Sequence, residues 1–520
     1  MDAVSVTFSP FHFSDFFTSI MAEHFISAAD AEHDLLACAA FLAESIRSND
    51  GYAEAMKVVI PRYLEHNSVD LAAELANAID DPFTRDMLLI GIAEKCASVG
   101  DDEYASQLAD AIEDDGLRSQ AFERVAIQKS AKGDTAGAVE IAESLSHPDY
   151  VYADIAMREA DRGDETALNT AIDRIEFANA RVGALHAAAD AKFKNGEREA
   201  AIHFLDKAVA TTGDIEHHEE KLRAICEIGN SFIEIEDKDD AIKTFELARE
   251  NAEQLESVHR DLFLATAALG FLQAGNLDQA DATLDLVGDK VQIASCLLGF
   301  SREFWKKEEK DDAIESLEEA YAIIKSQREN EIRDSRSRNA TYTQIAAQFA
   351  GYGKAERAIE IANENLDDNE RTSALSQIAQ ILTIQKDDAV ARQALTAIPE
   401  ESSRLFALLG MSESKEKIGE RENAVALLDE AASLAETVPQ LSLRSAVLNE
   451  IVRAFSNFGE YGKASAAAHE NLEVIASIRD EGIRAATLAN LSAIYPQGEQ
   501  ELSEADKNIM ERMVRRAEIT

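Results

Sequence analysis

The chain has 520 residues, with 98 Asp and Glu against 51 Lys and Arg and a formal net charge of −47. That balance argues against nucleic acid as a partner, because phosphate binding requires clustered Lys and Arg. No apolar run approaches the roughly 18 residues of a membrane span; the best, Phe263–Leu272, fits a short soluble helix.

The N-terminus is rich in aromatics: Phe8, Phe11, Phe13, Phe16, Phe17 and Phe25. No Lys or Arg precedes Arg47, so a secretory signal with a basic start is not expected. Residues 1–14 read as a disordered or N-terminal arm. Phe16, Phe17 and Phe25 read as a cover for the first repeat, with Met21 an alternative start; the competing reading is an aromatic hook for a partner or a second copy.

From about residue 50 one register recurs. Its turn positions are Asn67, Gly100, Gly133, Gly163, Gly196, Glu236, Gly275, Glu308, Gly353, Lys386, Gly419 and Gly459. Five residues after each comes Ala72, Ala105, Ala138, Leu168, Ala201, Ala241, Ala280, Ala313, Ala358, Ala391, Ala424 or Ala464. Seven before it the residue is small at ten positions, as at Ala93, Gly229 and Ser301, with Ile60 and Val452 the exceptions. Eleven before it a large apolar residue always stands, from Met56 and Leu89 to Leu408 and Leu448. These offsets fall on one face of a helix before the turn and one face of a helix after it. Each repeat therefore predicts an antiparallel helix pair, with glycine closing the first helix in a left-handed conformation. Self-similarity at this period signals a stacked architecture.

Most turns are 33 residues apart, but four intervals are longer. The surplus predicts second helices extended over about 238–257, 310–330 and 421–437, and either a helix or a loop around Thr211–Glu220. Both ends read as degenerate caps. Asp34 sits in register with Ala39, Ala43 and Ile46, and Arg484–Tyr495 reads as a final first helix. Ser503–Glu518 reads as a polar closing helix with Arg512, Arg515 and Arg516. A stack requires such caps with a wet outer face. The division is an arm over 1–14, a solenoid over 15–498 and a capping helix over 499–520.

The pattern resembles the tetratricopeptide repeat (TPR), most clearly from turn Gly196 through Ala201 and Leu205 to Ala208. It departs from that family in its usual spacing of 33 and in lacking the early tryptophan and closing proline. The resemblance implies an all-α solenoid of about fourteen TPR-like pairs, twelve clear and two as caps, in a right-handed superhelix. It also implies that the first helices line a concave groove. The family's ligand-contacting positions correspond to His186, Asp190, Asn230, Arg302, Trp305, Gln380, Glu413, Asn449 and Arg453. Trp305 is the only tryptophan and lies one turn from Arg302, a pairing typical of binding anchors. The family's Lys and Asn clamp for a terminal carboxylate is missing, since Cys226 stands where a Lys would be needed before Asn230.

Catalysis finds little support: no Gly-rich phosphate loop, HExxH or Cys-x-x-Cys occurs. His217-His218 reads as a solvated link rather than a metal site. Cys38, Cys96, Cys226 and Cys296 have no paired spacing and read as buried thiols of a reducing, cytoplasmic compartment. Fifteen residues before the turn a basic column runs through Arg85, Arg118, Arg181, Lys221, Arg260, Arg338, Arg371, Arg404 and Arg444, continued by Arg484. It reads as a structural ladder that bonds carboxylates or carbonyls of the links. The expectation is a non-enzymatic scaffold without cofactor or metal that docks a protein or peptide along the groove. A basic partner is the sharper reading of the acidity, and solubility the plainer one. The alternatives are a small-molecule sensor or all-helical enzyme with a groove pocket, and a self-assembling structural protein.

Overall fold

A computed structural model describes residues 24–326, 335–365, 367–495 and 502–519. The arm over 1–14, with Phe16, Phe17 and Met21, lies outside the described residues. The described residues form helices and no strand.

The turn column has a direct structural basis. Among the described residues, the twelve with positive φ are the twelve turn positions, from Asn67 at 58° to Gly100 at 98°. Each ends a first helix in the left-handed region, where glycine carries no Cβ penalty. The column five residues later is fully buried at all twelve positions. There the second helix meets its own first helix so closely that only a methyl group fits at most levels. Where the small column carries serine, the hydroxyl uses the same contact. Ser301 Oγ donates to the carbonyl of Ala313 at 2.7 Å, and Ser412 Oγ to that of Ala424 at 2.8 Å. Where it carries Gly229, the ring of Phe245 fills the space, with Gly270 of the next repeat on its other side.

Twelve helix pairs follow, from Asn49–Glu65 with Val69–Asn77 to Leu441–Asn457 with Tyr461–Ser477. The extended second helices expected are Lys238–Glu253, Lys310–Ser326 and Arg421–Ala435, and the last second helix, Tyr461–Ser477, is equally long. Around Thr211 both alternatives are realised. The helix Arg198–Thr211 is lengthened, then a short 3-10 turn, Thr212–Asp214, leads to His218–Glu234.

The stack closes on itself. Helix Leu35–Glu44 from the N-terminal end packs antiparallel-pair fashion on Glu481–Ser492 from the C-terminal end, serving as its second helix. Glu481–Ser492 in turn packs on Asn49–Glu65, as one first helix packs on the next throughout the chain. The two expected caps are therefore one thirteenth pair made from both ends. Each end alone carries an apolar face without a partner, and the other end supplies it. One core cluster accordingly joins Ile26–Val125 to Ala294–Val514. Helix Glu504–Ile519 covers the seam, resting on Leu35–Glu44 and Tyr461–Ser477. Its start is a reciprocal cap: Asp506 N donates to Ser503 Oγ, and Ser503 N to Asp506 Oδ2.

First helices touch one another around the whole circle, whereas consecutive second helices barely meet. The inner circumference is the shorter, so the first helices form the inner wall. With roughly 8–10 Å between packed helices, thirteen of them make a circle about 35–40 Å across at their axes.

The links between repeats share one edge of this ring. Arg118, Arg181, Arg371 and Arg484 each donate to the carbonyl six residues earlier: Ile112, Ile175, Asn365 and Ile478. Arg85 pairs with Asp86 and with Glu113 of the next link, and Arg404 with Glu401. The basic column is thus a ladder along the links. A second ladder had no reading in the sequence: Asp86, Asp149 and Asp261, each fourteen residues before its turn, accept two backbone N–H groups from the following link.

Candidate functional site

The exposed side of a first helix faces the inner wall, because its other sides pack on its own second helix and on two neighbouring first helices. Charge is divided between the layers. From Asn49 to Ser477, the twelve first helices carry 26 Lys and Arg against 24 Asp and Glu. The twelve second helices carry 11 against 32. The first-helix layer is nearly balanced, and the helical acidity lies on the outer layer.

Arg302 and Trp305 stand on the first helix Lys290–Lys306. Arg302 is exposed, and its Nε donates to Gln348 Oε1 at 3.0 Å. Gln348, on the next first helix, Ser335–Gly351, is itself held: its Nε2 reaches the Leu298 carbonyl, Ser301 Oγ and Tyr352 Oη at 2.9–3.2 Å. Trp305 is half-buried and stacks on Tyr352 with ring centroids 3.9 Å apart and planes 11° apart. Lys310 Nζ lies 5.3 Å from the Trp305 centroid. The pair is therefore a preorganised bridge between two repeats, with the indole partly spent on packing and the guanidinium steadied by a neutral amide.

The other expected contact residues spread around the ring. His186 Nε2 bonds Ser231 Oγ of the next first helix at 2.6 Å, with exposed Asn230 beside it. Asp190 is half-buried one turn further along His186's helix. Gln380 lies across Gly410 of the following repeat, where a methyl group would come within 2.3 Å of its Nε2. Glu413 and Arg453 are exposed, the latter paired with Glu450 at 2.6 Å. Asn449 departs from the groove assignment. It is buried, and its Oδ1 accepts from Asn471 Nδ2 at 2.7 Å, inside its own helix pair. The two amides satisfy each other because neither can reach water. These residues do not converge on one point.

The register hid one further feature. Thirteen residues before the turn stand Met87, Tyr150, Leu262 and Phe406, and all four are exposed, Tyr150 by 69%. Apolar residues that recur at one register position yet stay in solvent are the signal that could have shown them.

This combination decides the architecture: left-handed turn residues between paired helices, small residues at their crossing and first helices layered on first helices. The chain is a TPR-like helical-repeat protein. No family model and no curated protein matches it. Similar solved structures include Ton1535 from Thermococcus onnurineus NA1, 17% identical over 68% of this chain and 97% of that one, with TM-score 0.24. A Rap protein complexed with competence and sporulation factor is 12% identical over 68% of this chain and 97% of its own, with TM-score 0.27. A circular tandem repeat protein is 15% identical over 95% and 98%, with TM-score 0.14.

The reactive candidates of this TPR-like chain are muted. Its four thiols are free and buried, and burial pushes Cys96 up to about 11 and Cys226 and Cys296 up to about 12. Such thiols stay protonated and inert at neutral pH. Among the described residues no three metal-binding side chains gather, His217-His218 included. Nor is any described helix long and apolar enough to cross a membrane.

Proposed function

We propose that this protein is a non-enzymatic binding ring that docks a protein or peptide partner along its inner wall. The observation that carries this reading is the division of charge between the layers. The acidic outer helices are solvated, while the balanced first helices leave Met87, Tyr150, Leu262, Phe406 and Arg302 exposed, with Trp305 half-buried beside Arg302. Exposed aromatic and apolar side chains on a rigid frame are the usual anchors of an interface, and preorganisation limits the entropy lost on docking.

On this reading the acidity serves solubility and repels nucleic acid, and contacts on the inner wall carry little net charge. Capture of the partner from host extract by the parent, Met87→Ser/Leu262→Ser and Trp305→Ala tests the reading. Inner-wall docking requires that the variants lose the partner while an outer-layer variant, Glu315→Gln/Glu319→Gln, keeps it. Retention by all three inner-wall changes would overturn it.

A further inference from the structure

Three consecutive links on one edge of the ring enclose a cleft of about 1080 Å³. The first link contributes His147 and Tyr150, the second Glu176 and Phe177, and the third Asp214, Glu216, His217 and Glu220. The third link is the one lengthened by the 3-10 turn Thr212–Asp214, and Asp214 of that turn lines the cleft. Two large rings stand in solvent here: Tyr150 is 69% and Phe177 55% exposed. His147 steadies the second ring, with centroids 6.2 Å apart.

The charge around these rings is mostly negative, five carboxylates against Arg181. Glu176, Asp214, Glu216 and Glu220 are all exposed, and none has an ion-pair partner among the described residues. The lining cation, Arg181, is already committed, with Nε and Nη2 both on the Ile175 carbonyl at 3.1 and 2.6 Å. Asp149 is likewise committed, to Glu176 N and Phe177 N. What remains free is a pair of aromatic faces framed by carboxylates.

We infer that this cleft receives an arginine-containing basic segment of a protein partner. A guanidinium is planar, so it stacks on Phe177 or Tyr150 while its fork bonds a carboxylate. An ammonium can satisfy the charge but gains less from the rings and cannot make the bidentate bond. The preference for arginine over lysine therefore separates this site from the general attraction of a −47 chain for any polycation. Tyr150 also belongs to the exposed column thirteen residues before the turn, so this cleft shares one residue with the proposed docking surface. The inference nevertheless stands apart from the Arg302–Trp305 surface, and each can fail without the other.

The test is fluorescence anisotropy of labelled hexa-arginine and hexa-lysine peptides titrated with the full chain at moderate salt. Hexa-arginine should bind about fivefold or more tightly than hexa-lysine if ring stacking contributes. Tyr150→Ala/Phe177→Ala should abolish that preference, and Glu216→Gln/Glu220→Gln should weaken both peptides roughly tenfold by removing two framing charges. Glu315→Gln/Glu319→Gln on the outer helix Lys310–Ser326, which removes as much charge elsewhere, should change either affinity less than about twofold. All these side chains lie in solvent, and unchanged thermal midpoints confirm folding. Equal affinity for the two peptides, or equal weakening by the cleft and outer-helix variants, would overturn the inference.

Discussion

Arg62 Nη2 donates to Asn490 Oδ1 at 3.0 Å, joining residues 428 positions apart across the seam where the two ends of the chain meet. The bond is peripheral to an apolar contact in which Leu35, Cys38, Ala39 and Leu42 of one end face the helix carrying Ala485, Leu488, Ala489 and Leu491 of the other. Removing residues 1–47 should uncover that face, so small-angle scattering should show a larger radius of gyration and the thermal midpoint should fall. A truncated chain with the parent's radius and midpoint would show that the seam contributes nothing.

The close contacts within and between the pairs predict overpacking. Ala201→Leu inserts bulk where the residue is fully buried, and Gly270→Ala places a methyl 2.3 Å from the Phe245 ring. Each should cost roughly 1–3 kcal/mol in urea unfolding. Gly213→Ala, with open space around it, serves as the comparison and should cost far less.

The link ladder predicts a contrast between its members. Arg404 is partly exposed and paired at 3.8 Å, so Arg404→Ala should change stability by about 0–1 kcal/mol. Arg484 is buried and bonds the Ile478 carbonyl through both Nε and Nη2. Arg484→Ala leaves that carbonyl unpaired and should cost about 1–3 kcal/mol. Equal effects would remove the distinction between buried and exposed rungs.

Stability in acid should report on Glu420. Hydrogen bonds from Lys415, Asn423 and Lys386 hold its carboxyl at about 2, below the ordinary 4.5. A folded-state value below the unfolded one means that the contribution is present above 4.5 and is lost as the pH falls through about 2. The urea midpoint of Glu420→Gln should therefore lie below the parent's near neutrality, with the gap closing between pH 4.5 and 2. A gap independent of pH would show that the charge is not what matters.

Trp305→Ala should leave the ring folded, because it removes one stacked pair worth about 0.5–1.5 kcal/mol. Circular dichroism should show the parent's helix content with a slightly lower midpoint. A collapse of the midpoint would mark Trp305 as packing between repeats rather than a docking surface.

The repeat itself was written locally. A left-handed turn at Gly196, a methyl-sized contact at Ala201 and the leucine at 205 are properties of one helix pair, so spacing alone placed them, and all twelve turn residues took the conformation their register required. The site was legible only in part. Arg302 and Trp305 sit on one helix and were visible together, but Gln348 and Tyr352, which hold them, lie beyond the long interval and are brought close by packing. Asn449 shows the opposite failure: its register position is that of a surface contact, and only the nearness of Asn471 turns it inward. Closure belongs wholly to the tertiary structure. Whether Leu35–Glu44 meets Glu481–Ser492 depends on a small rotation between neighbours summed over the whole stack, and no local pattern encodes that sum.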